Sequence, residues 1–243
     1  MGKDWSCWGN SRGTLNHLNI CDFRSNPIFF GRRKGRKLSK SSQLALKEGK
    51  RYFIQKKDLN NILNSKKYII LEIGFGDGDN LINSAKTNPD KFYIGSDPFL
   101  NTTTKCLEKI IKYKIKNVVI WPDDVRKIIH LFPNNSISKI KILFPDPWPK
   151  KKHKSRRLIQ DDFLEIIYSI TKPKGTITIA TDHDELKCWT LEKFQRYGKF
   201  EWIVKTCKDW ETRPADCFQT KYELKSIMQK RKPSWFVFQK MKI

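Results

Sequence analysis

The sequence has no long apolar run, no Cys-x-x-Cys pair and far fewer acidic than basic residues. No run approaches the roughly 20 apolar residues that a membrane-spanning helix needs, so no membrane segment is expected. The chain begins without the basic-then-apolar pattern of a secretion signal. Its six cysteines are scattered, which favours reduced thiols in a cytoplasmic protein over disulfides or a zinc site. No metal site is expected.

Two common phosphate-binding loops are also missing. No Gly-x-x-x-x-Gly-Lys-Ser/Thr loop occurs, and the glycine-rich stretch at residues 68–78 does not match the Gly-x-Gly-x-x-Gly dinucleotide fingerprint. The sequence therefore gives no indication of a nucleoside triphosphate or a dinucleotide as ligand.

The charge balance is strongly basic. Lys and Arg number 49 against 25 Asp and Glu, which gives a formal net charge of +24. Such an excess predicts a polyanionic partner, although a general preference for lysine would also contribute to it. The bases cluster at residues 31–51 and 150–157, and clustering of this kind favours contacts with the phosphates of a nucleic acid.

The 243 residues predict one sizeable domain with extensions. Residues 1–30 show no clear period, and we expect a poorly ordered extension there. Residues 31–60 predict a flexible basic arm and a short helix capped by Ser39 or Ser41. Residues 61–243 form the main predicted domain.

The most informative stretch is residues 68–78, an apolar run followed by Gly74, Gly76 and Gly78. A short apolar run suits a strand buried on both faces of a parallel sheet. Glycines at its end allow a tight turn and a close approach of the backbone to a ligand. Ligands of such sheets bind outside the carboxyl ends of the strands.

Glu72, two positions before the first glycine, bears on the kind of ligand. Its carboxylate would repel a pyrophosphate but would suit a cation or a ribose. S-adenosylmethionine is a sulfonium that carries an amino acid and a nucleoside and has no phosphate. The alternative is an ordinary strand-turn-helix with permissive glycines, and the turn alone leaves the two interpretations open.

Strand-like and helix-like segments alternate after this stretch. The predicted strands are residues 68–73, 92–96, 118–121, 140–144, 176–180, 201–206 and 235–238. The predicted helices lie near residues 80–86, 102–113, 125–131, 161–170 and 185–196, with 222–229 as a further candidate. The alternation predicts an α/β fold with a doubly wound, mostly parallel seven-stranded sheet. The last strands lack a long helix between them, which indicates an antiparallel edge strand.

Acidic residues follow most of the predicted strands: Asp97, Asp123, Asp124, Asp146 and Asp182. An acid about 20 residues past the glycine turn, as Asp97 is, suits the hydroxyls of a ribose. A carboxylate at Asp123 or Asp124 suits an adenine amino group. Each acid by itself is more often a helix N-cap, but their shared position at one sheet edge favours a ligand site.

The segment that contains Asp146 is the most distinctive one. Prolines on both sides of Asp146 and after Trp148 stiffen the backbone and hold both side chains at the mouth of the predicted site. The basic run 150–157 follows directly. We expect the aromatic ring to stack on a base and the basic residues to hold phosphates, with a solvated charge run and a core tryptophan as the alternative.

Four segments together resemble the bacterial tRNA (guanine-N7-)-methyltransferases. They are Glu-Ile-Gly-Phe-Gly-Asp-Gly, Phe-Pro-Asp-Pro-Trp-Pro-Lys-Lys-Lys-His-Lys-Ser-Arg-Arg, Ala-Thr-Asp, and Arg-Pro with Thr-Lys-Tyr-Glu near the C-terminus. The resemblance runs from about residue 31 to the end and follows the family's order. It implies a class I, Rossmann-like, S-adenosylmethionine-dependent methyltransferase fold. It also implies a tRNA-modifying enzyme that methylates N7 of a guanine in the variable loop.

The resemblance also implies roles for individual residues. Cofactor contacts fall on the turn and the strand ends: Glu72, Gly74, Gly76, Gly78, Asp97, Asp124 and Asp146. Substrate contacts fall on Lys150, Asp182, Thr220, Lys221, Tyr222 and Glu223, and Asp146 is the catalytic residue. The implied partner is tRNA, and the oligomeric state, monomer or homodimer, stays open.

This chain departs from the family pattern at three positions. Asp97 stands where many members have the longer Glu, which shifts its expected ribose contact. Tyr222 stands where many have Phe, and Asp77 lies inside the glycine turn where an uncharged residue is common. The sequence offers no explanation of Asp77.

The chemistry of the implied reaction limits what Asp146 has to do. Guanine N7 has a free lone pair and no proton, so its methylation needs no general base. Asp146 is therefore expected to recognise the base and to favour the positive charge that develops on it. Two alternatives stay open from the residues alone: methylation of an amino group, as in enzymes with an Asp-Pro-Pro-Tyr/Trp loop, and a non-catalytic RNA-binding protein.

Overall fold

The computed structural model describes residues 29–242, which are built around a seven-stranded sheet in the order β3-β2-β1-β4-β5-β7-β6. Its strands are β1 (Ile69–Ile73), β2 (Phe92–Ser96), β3 (Val118–Trp121), β4 (Ile137–Leu143), β5 (Thr171–Thr181), β6 (Phe200–Trp202) and β7 (Ser234–Lys240). Strands β1 to β5 pair in parallel, and β7 runs antiparallel to both β5 and β6. The predicted α/β fold and mostly parallel sheet are confirmed. The antiparallel strand is β7, which lies between β5 and the edge strand β6.

Helices cover both faces of the sheet. They are α1 (Lys40–Glu48), α2 (Leu59–Ser65), α3 (Asp79–Thr87), α4 (Leu100–Lys112), α5 (Asp161–Ile170), α6 (Asp184–Tyr197), α7 (Cys207–Glu211) and α8 (Lys221–Met228). None of the helices within residues 29–242 is long and apolar enough to span a membrane.

Strand β1 shows why its sequence is almost uniformly apolar. Ile69 and Leu71 pack in the core beneath α5 and α6, whereas Ile70 packs on the opposite face with α3 and α4. Successive side chains of a strand point to opposite faces, so a central strand covered by helices on both sides needs apolar residues throughout. Glu72, on the same face as Ile70, is the exception, and it is buried as well.

The helix predicted over residues 125–131 is wrong. The structure has two short 3₁₀ turns there, Val125–Lys127 and Ile129–Leu131. Phe132 precedes Pro133 and is extended, because a proline disfavours the helical conformation of the residue before it. Ile128, between the two turns, has φ of −128° and ψ of −19°, outside the α-helical conformation, and so separates them. Prediction also missed α2 and α7, which are only a few residues long.

The basic arm lies against the start of α4. The Arg33 carbonyl accepts from the Leu100 backbone N–H, and the Gly35 N–H donates to Asn101 Oδ1 at 2.7 Å. Helix α1 follows, and its N-cap is Ser39, whose side chain accepts from the backbone N–H of Ser42. Ser39 is one of the two N-cap residues that the sequence predicted, the other being Ser41. The predicted extension lies outside the described residues, except for Phe29 and Phe30.

Candidate active site

A cavity of about 340 Å³ opens at the carboxyl ends of β1 to β4. One predicted residue from the end of each of these strands lines it: Gly74, Asp97, Asp124 and Asp146. Parallel strands bring their carboxyl ends to one edge, so residues far apart in sequence meet there. Phe30, just before the basic arm, and Tyr222 from α8 also line it.

The glycine turn after β1 requires glycine at three positions. Gly74, Gly76 and Gly78 have φ of +77°, +55° and +80°, a conformation that costs little energy only for glycine. A Cβ on Gly78 would lie 2.6 Å from Cys106 Sγ, whereas one on Gly74 would meet no atom within 4 Å. The turn is therefore packed tightly against α4 at its end and leaves open space for a ligand at its beginning.

Asp97 holds the turn from the neighbouring strand. Its Oδ2 accepts from the Gly76 N–H at 2.9 Å, and its Oδ1 accepts from the Phe99 N–H at 2.8 Å. Burial raises the pKa of Asp97 to about 6, although these hydrogen bonds oppose the shift. Each carboxylate oxygen has two acceptor positions, so Oδ2 retains one that a hydroxyl group in the cavity can use.

Asp124 and Asp123, at the end of β3, are both paired with bases. The Asp124 carboxylate accepts from the Arg126 guanidinium at 2.6 Å and from the Arg126 backbone N–H at 2.9 Å. Asp123 binds Arg33 at 2.6 Å and Lys127 at 2.7 Å. Burial opposes ionisation of Asp123, but the hydrogen bonds from these bases outweigh it and lower the pKa. Only Asp124 of the two lines the cavity.

Glu72 lies beneath the turn and is not part of the cavity wall. Its Oε2 accepts from Asn80 Nδ2 at 2.6 Å. Burial raises the pKa of Glu72 to about 7, while the nearby Lys141 opposes the shift. The predicted cofactor contact is therefore a buried support of the turn in this structure.

Asp146 differs from the other strand-end acids. No hydrogen-bond or ion-pair partner lies near its carboxylate within the described part of the chain. The flanking Phe144 and Trp148 have φ of +54° and +42°, a strained conformation for bulky residues that often marks functional sites. The side chain is open to the cavity, and the surrounding walls desolvate it enough to raise its pKa.

Aromatic and basic groups surround Asp146. The Phe30 and Trp148 rings meet edge to face, with centroids 6.4 Å apart. The Arg156 guanidinium lies 4.9 Å from the Phe30 centroid and 5.1 Å from that of Trp148. Trp148 therefore forms part of the cavity mouth, as predicted, and Phe30 is a wall residue that sequence reasoning missed.

The basic run 150–157 does not act as one surface. Lys150, Lys151, Lys152 and Lys154 are exposed, whereas Arg157 is buried. Arg157 Nε donates to the Pro147 carbonyl at 3.0 Å and Arg157 NH2 donates to the Trp148 carbonyl at 3.1 Å. Its predicted phosphate contact is thus wrong for this structure, because its donors hold the loop that carries Asp146.

The residues predicted to bind substrate spread over a wider surface. Lys150 is exposed, and Tyr222 lines the cavity from the first turn of α8. Thr220 caps that helix by accepting from the Glu223 N–H, and Glu223 is buried against Arg213 at 2.9 Å. Lys221 is ion-paired.

Two sets of ion pairs explain positions that the sequence left open. Asp77 pairs with Lys105 at 3.2 Å and with Lys221 at 3.5 Å, so its charge links the glycine turn to α4 and α8. Asp182 accepts from Arg231 Nε at 2.5 Å. Asp182 lines a neighbouring groove with Lys230 and not the main cavity.

We predict that Arg157→Met lowers the free energy of unfolding by about 3 kcal/mol. The substitution keeps the apolar stem but leaves two partly buried carbonyl groups without their donor. Urea denaturation followed by tryptophan fluorescence and circular dichroism measures the loss. Lys152→Met, on the exposed side of the same segment, serves as control and should change stability by less than about 0.5 kcal/mol. Equal stability of the two variants would contradict the loop-holding role.

Comparison with solved structures identifies the fold. A solved structure of the 16S rRNA methyltransferase KamB matches with a TM-score of 0.56 and 13% identity over 78% of this chain and 95% of that chain. A structure of an antibiotic-related methyltransferase matches with a TM-score of 0.53 and 21% identity, over 78% of this chain and 95% of that chain. The protein therefore has the class I methyltransferase fold.

Sequence comparison identifies the family. A family model described as a putative methyltransferase matches residues 66–235. The tRNA (guanine-N(7)-)-methyltransferase of Agrobacterium fabrum is 35% identical over 224 residues, 88% of this chain and 96% of that protein. The tRNA (guanine-N(7)-)-methyltransferase of Hyphomonas neptunium is 38% identical over 214 residues, which cover 86% of this chain and 97% of that protein. The chain belongs to the tRNA (guanine-N(7)-)-methyltransferase family.

Proposed function

We propose that the protein transfers a methyl group from S-adenosylmethionine to N7 of a guanine in the variable loop of tRNA. The observation that carries the proposal is Asp146, the strand-end carboxylate without a partner among residues 29–242. It faces the same cavity as the glycine turn. Family membership supports the tRNA guanine as the substrate.

The residues around the turn fit S-adenosylmethionine. The cofactor would supply a methyl group activated by its sulfonium. Gly74 leaves open space where a side chain would stand, and Asp97 Oδ2 retains an acceptor position for a ribose hydroxyl. Asp124 is suited to the adenine end, and Arg126 beside it lines the same wall. The cavity edge contributes carboxylates and no phosphate-binding loop, which agrees with a cofactor that has no phosphate.

Asp146 is suited to hold the guanine. A carboxylate has acceptor positions for both the guanine N1–H and the exocyclic amino group. These contacts orient the base, and alignment of N7 accounts for part of the rate. The negative charge also stabilises the positive charge that develops on the purine. Asp146 accepts no proton in this scheme, because N7 has none to give.

The surface around the cavity suits a polyanion. The exposed lysines of segment 150–154 lie beside the Asp146 loop and have no acidic partner among the described residues. The arm adds Arg32 at the cavity rim and further exposed bases behind it. Trp148 and Tyr222 offer aromatic surfaces on which an extruded base can stack.

The direct test is to incubate the protein with labelled S-adenosylmethionine and bulk tRNA, digest the product and identify the methylated nucleoside. We expect 7-methylguanosine, mapped to the variable loop. A methylated exocyclic amino group would assign a different reaction to the Asp146 loop. Cofactor and tRNA binding without any methylated product would indicate a non-catalytic RNA-binding protein.

We further predict that the affinity for S-adenosylhomocysteine falls as the pH drops through about 6. A ribose hydroxyl donates to the ionised Asp97, so the ligand favours the deprotonated form. Since the ligand-free protein has an Asp97 pKa of about 6, the affinity at about pH 5 should be roughly tenfold lower than at about pH 8. Calorimetry at several pH values, with folding checked by circular dichroism, measures the effect.

Two variants separate Asp97 from other titrating groups. Asp97→Ala should weaken binding by about 1–3 kcal/mol near neutral pH, because a buried charged hydrogen bond is removed. Asp97→Asn cannot titrate, so any pH dependence that it retains comes from other groups such as Glu72. Unchanged affinity of Asp97→Ala would remove Asp97 from the cofactor site.

A further inference from the structure

A buried asparagine joins the glycine turn to a distant part of the chain, residues 213–223. Asn80 stands in the first turn of α3, directly behind the glycine turn, and is 1% exposed. Its Nδ2 donates to Glu72 Oε2 at 2.6 Å, and its Oδ1 accepts from the Phe218 backbone N–H at 2.8 Å. The Asn80 side-chain amide therefore bridges the two regions: its NH₂ group binds Glu72 beneath the glycine turn, and its oxygen binds the backbone of residues 213–223.

A buried lysine fixes the same distant segment from the side of the sheet. Lys141 of β4 is 1% exposed. Its ammonium group donates to the Asp216 carbonyl and lies 3.6 Å from the Asp216 carboxylate. Lys139 binds the same carboxylate at 2.6 Å. A buried ammonium is costly unless it is paired, so residues 216–218 have one strongly preferred position.

This position determines where Tyr222 stands. Residues 216–218 lead into α8, whose first turn carries Tyr222 into the cavity wall. A Cβ on Gly76 would lie 3.3 Å from Tyr222 Cε2, so the ring packs directly on the glycine turn. The Asp77–Lys221 pair crosses the same junction. The turn and the 213–223 segment thus meet as one joined unit.

We propose that Asn80 is a positioning residue that couples cofactor binding at the glycine turn to tRNA binding by residues 213–223. The inference rests on the proposed function. Asn80 does not line the cavity and acts through the groups that it bridges. A ligand that fixes the turn also fixes the Phe218 peptide and Tyr222, and a ligand held by Tyr222 favours the turn in return. Such coupling is reciprocal by thermodynamic necessity.

The test measures the dissociation constant of tRNA with and without saturating S-adenosylhomocysteine. In the wild type, we expect tRNA to bind about fivefold or more tightly when the cofactor product is present. In Asn80→Ala, the ratio should fall to about one, because the link between the two sides is cut. The converse titration, of S-adenosylhomocysteine with and without tRNA, must give the same ratio for each protein.

Asn117→Ala is the matched control. Asn117 Nδ2 also donates to partly buried backbone carbonyls, those of Ala85, Asn88 and Lys91, but at the far end of α3. Its removal should lower stability without changing the ratio, which separates a structural defect from a loss of coupling. Wild-type coupling in Asn80→Ala, or an equal loss of coupling in Asn117→Ala, would overturn the inference.

A second variant protects the test against a folding failure. Asn80→Asp has nearly the same shape and retains an acceptor for the Phe218 N–H, but it faces Glu72 with an oxygen instead of a donor. At lower pH the two carboxylates share a proton, which restores a donor between them, so we expect the coupling to weaken as the pH rises and that proton is lost. Full coupling in this variant across the whole pH range would overturn the inference.

The outcomes also separate this inference from the proposed function. A wild-type protein that methylates no tRNA guanine overturns the proposed function and, with it, the inference. Normal methylation combined with a wild-type ratio in Asn80→Ala overturns the inference alone.

Discussion

Replacing Asp146 by asparagine is expected to lower the rate of methyl transfer to tRNA by about 10²-fold or more. The substitution keeps the shape of the side chain but removes its charge and half of its acceptor capacity. The base then loses a partner for its N–H donors, and the developing positive charge loses its counter-charge. Folding should be unaffected, because the carboxylate has no partner among residues 29–242 to lose.

Single-turnover methylation with saturating cofactor measures this loss. Asp90→Asn is the matched control. Asp90 is exposed and stands just before the amino end of β2, away from the cavity, so this variant should retain the wild-type rate. Cofactor binding to Asp146→Asn should change less than the rate, unless Asp146 also contacts the cofactor. A wild-type rate in Asp146→Asn would remove the residue from the site.

The pH profile of the same reaction distinguishes orientation from proton abstraction. The enclosing walls raise the pKa of Asp146 above that of an ordinary aspartate, so activity should fall at acidic pH as the carboxylate is protonated. Orientation by the ionised group predicts a flat profile across neutral pH. A rate that rises there with an ionisation of Asp146, together with a solvent isotope effect on methyl transfer, would contradict N7 methylation and favour an amino group.

The second large effect concerns the salt dependence of tRNA binding. Changing Lys150, Lys151, Lys152 and Lys154 to glutamine together should flatten the slope of log affinity against log salt. Each phosphate that is no longer neutralised by a lysine reduces the slope by about 0.7–0.9, so four such phosphates amount to about three units. The affinity for tRNA at low salt should also fall. Filter binding or fluorescence anisotropy over a salt series measures both quantities.

A matched control carries the same change of charge elsewhere. Lys67, Lys86, Lys112 and Lys116 are also exposed but lie toward the amino ends of the strands, away from the cavity. Changing these four to glutamine should leave the slope close to that of the wild type. Equal flattening by both quadruple variants would mean that general charge, and not the Asp146 side of the molecule, attracts the tRNA.

The basic arm gives a further comparison. Arg32, Lys34, Arg36 and Lys37 are exposed, while Arg33 is paired with Asp123. Neutralising the four exposed bases should also flatten the slope if the arm contacts phosphates. An unchanged slope would make the arm a solvated segment that serves only to cover the edge of the cavity.

The sequence by itself determined the sheet and the edge at which the site lies. Apolar runs of strand length, alternating with helical segments, have one common solution, the doubly wound sheet. Gly74 and Asp97 could be placed at this edge because their positions follow from local signals: a turn that needs glycine, and an acid at the end of the next strand. The basic excess in turn indicated a polyanionic partner.

Only the tertiary structure decided which of the strand-end acids has no partner among residues 29–242. Asp182 meets Arg231, which is 49 positions away, and Asp123 meets Arg33, which is 90 positions away. Asn80 meets the Phe218 backbone across 138 positions. Such pairs form because the folded backbone brings their atoms within hydrogen-bonding distance, and no local pattern records it. For the same reason, the buried role of Arg157 was hidden in a run of exposed lysines, and Asp146 was distinguished only once its neighbours were known.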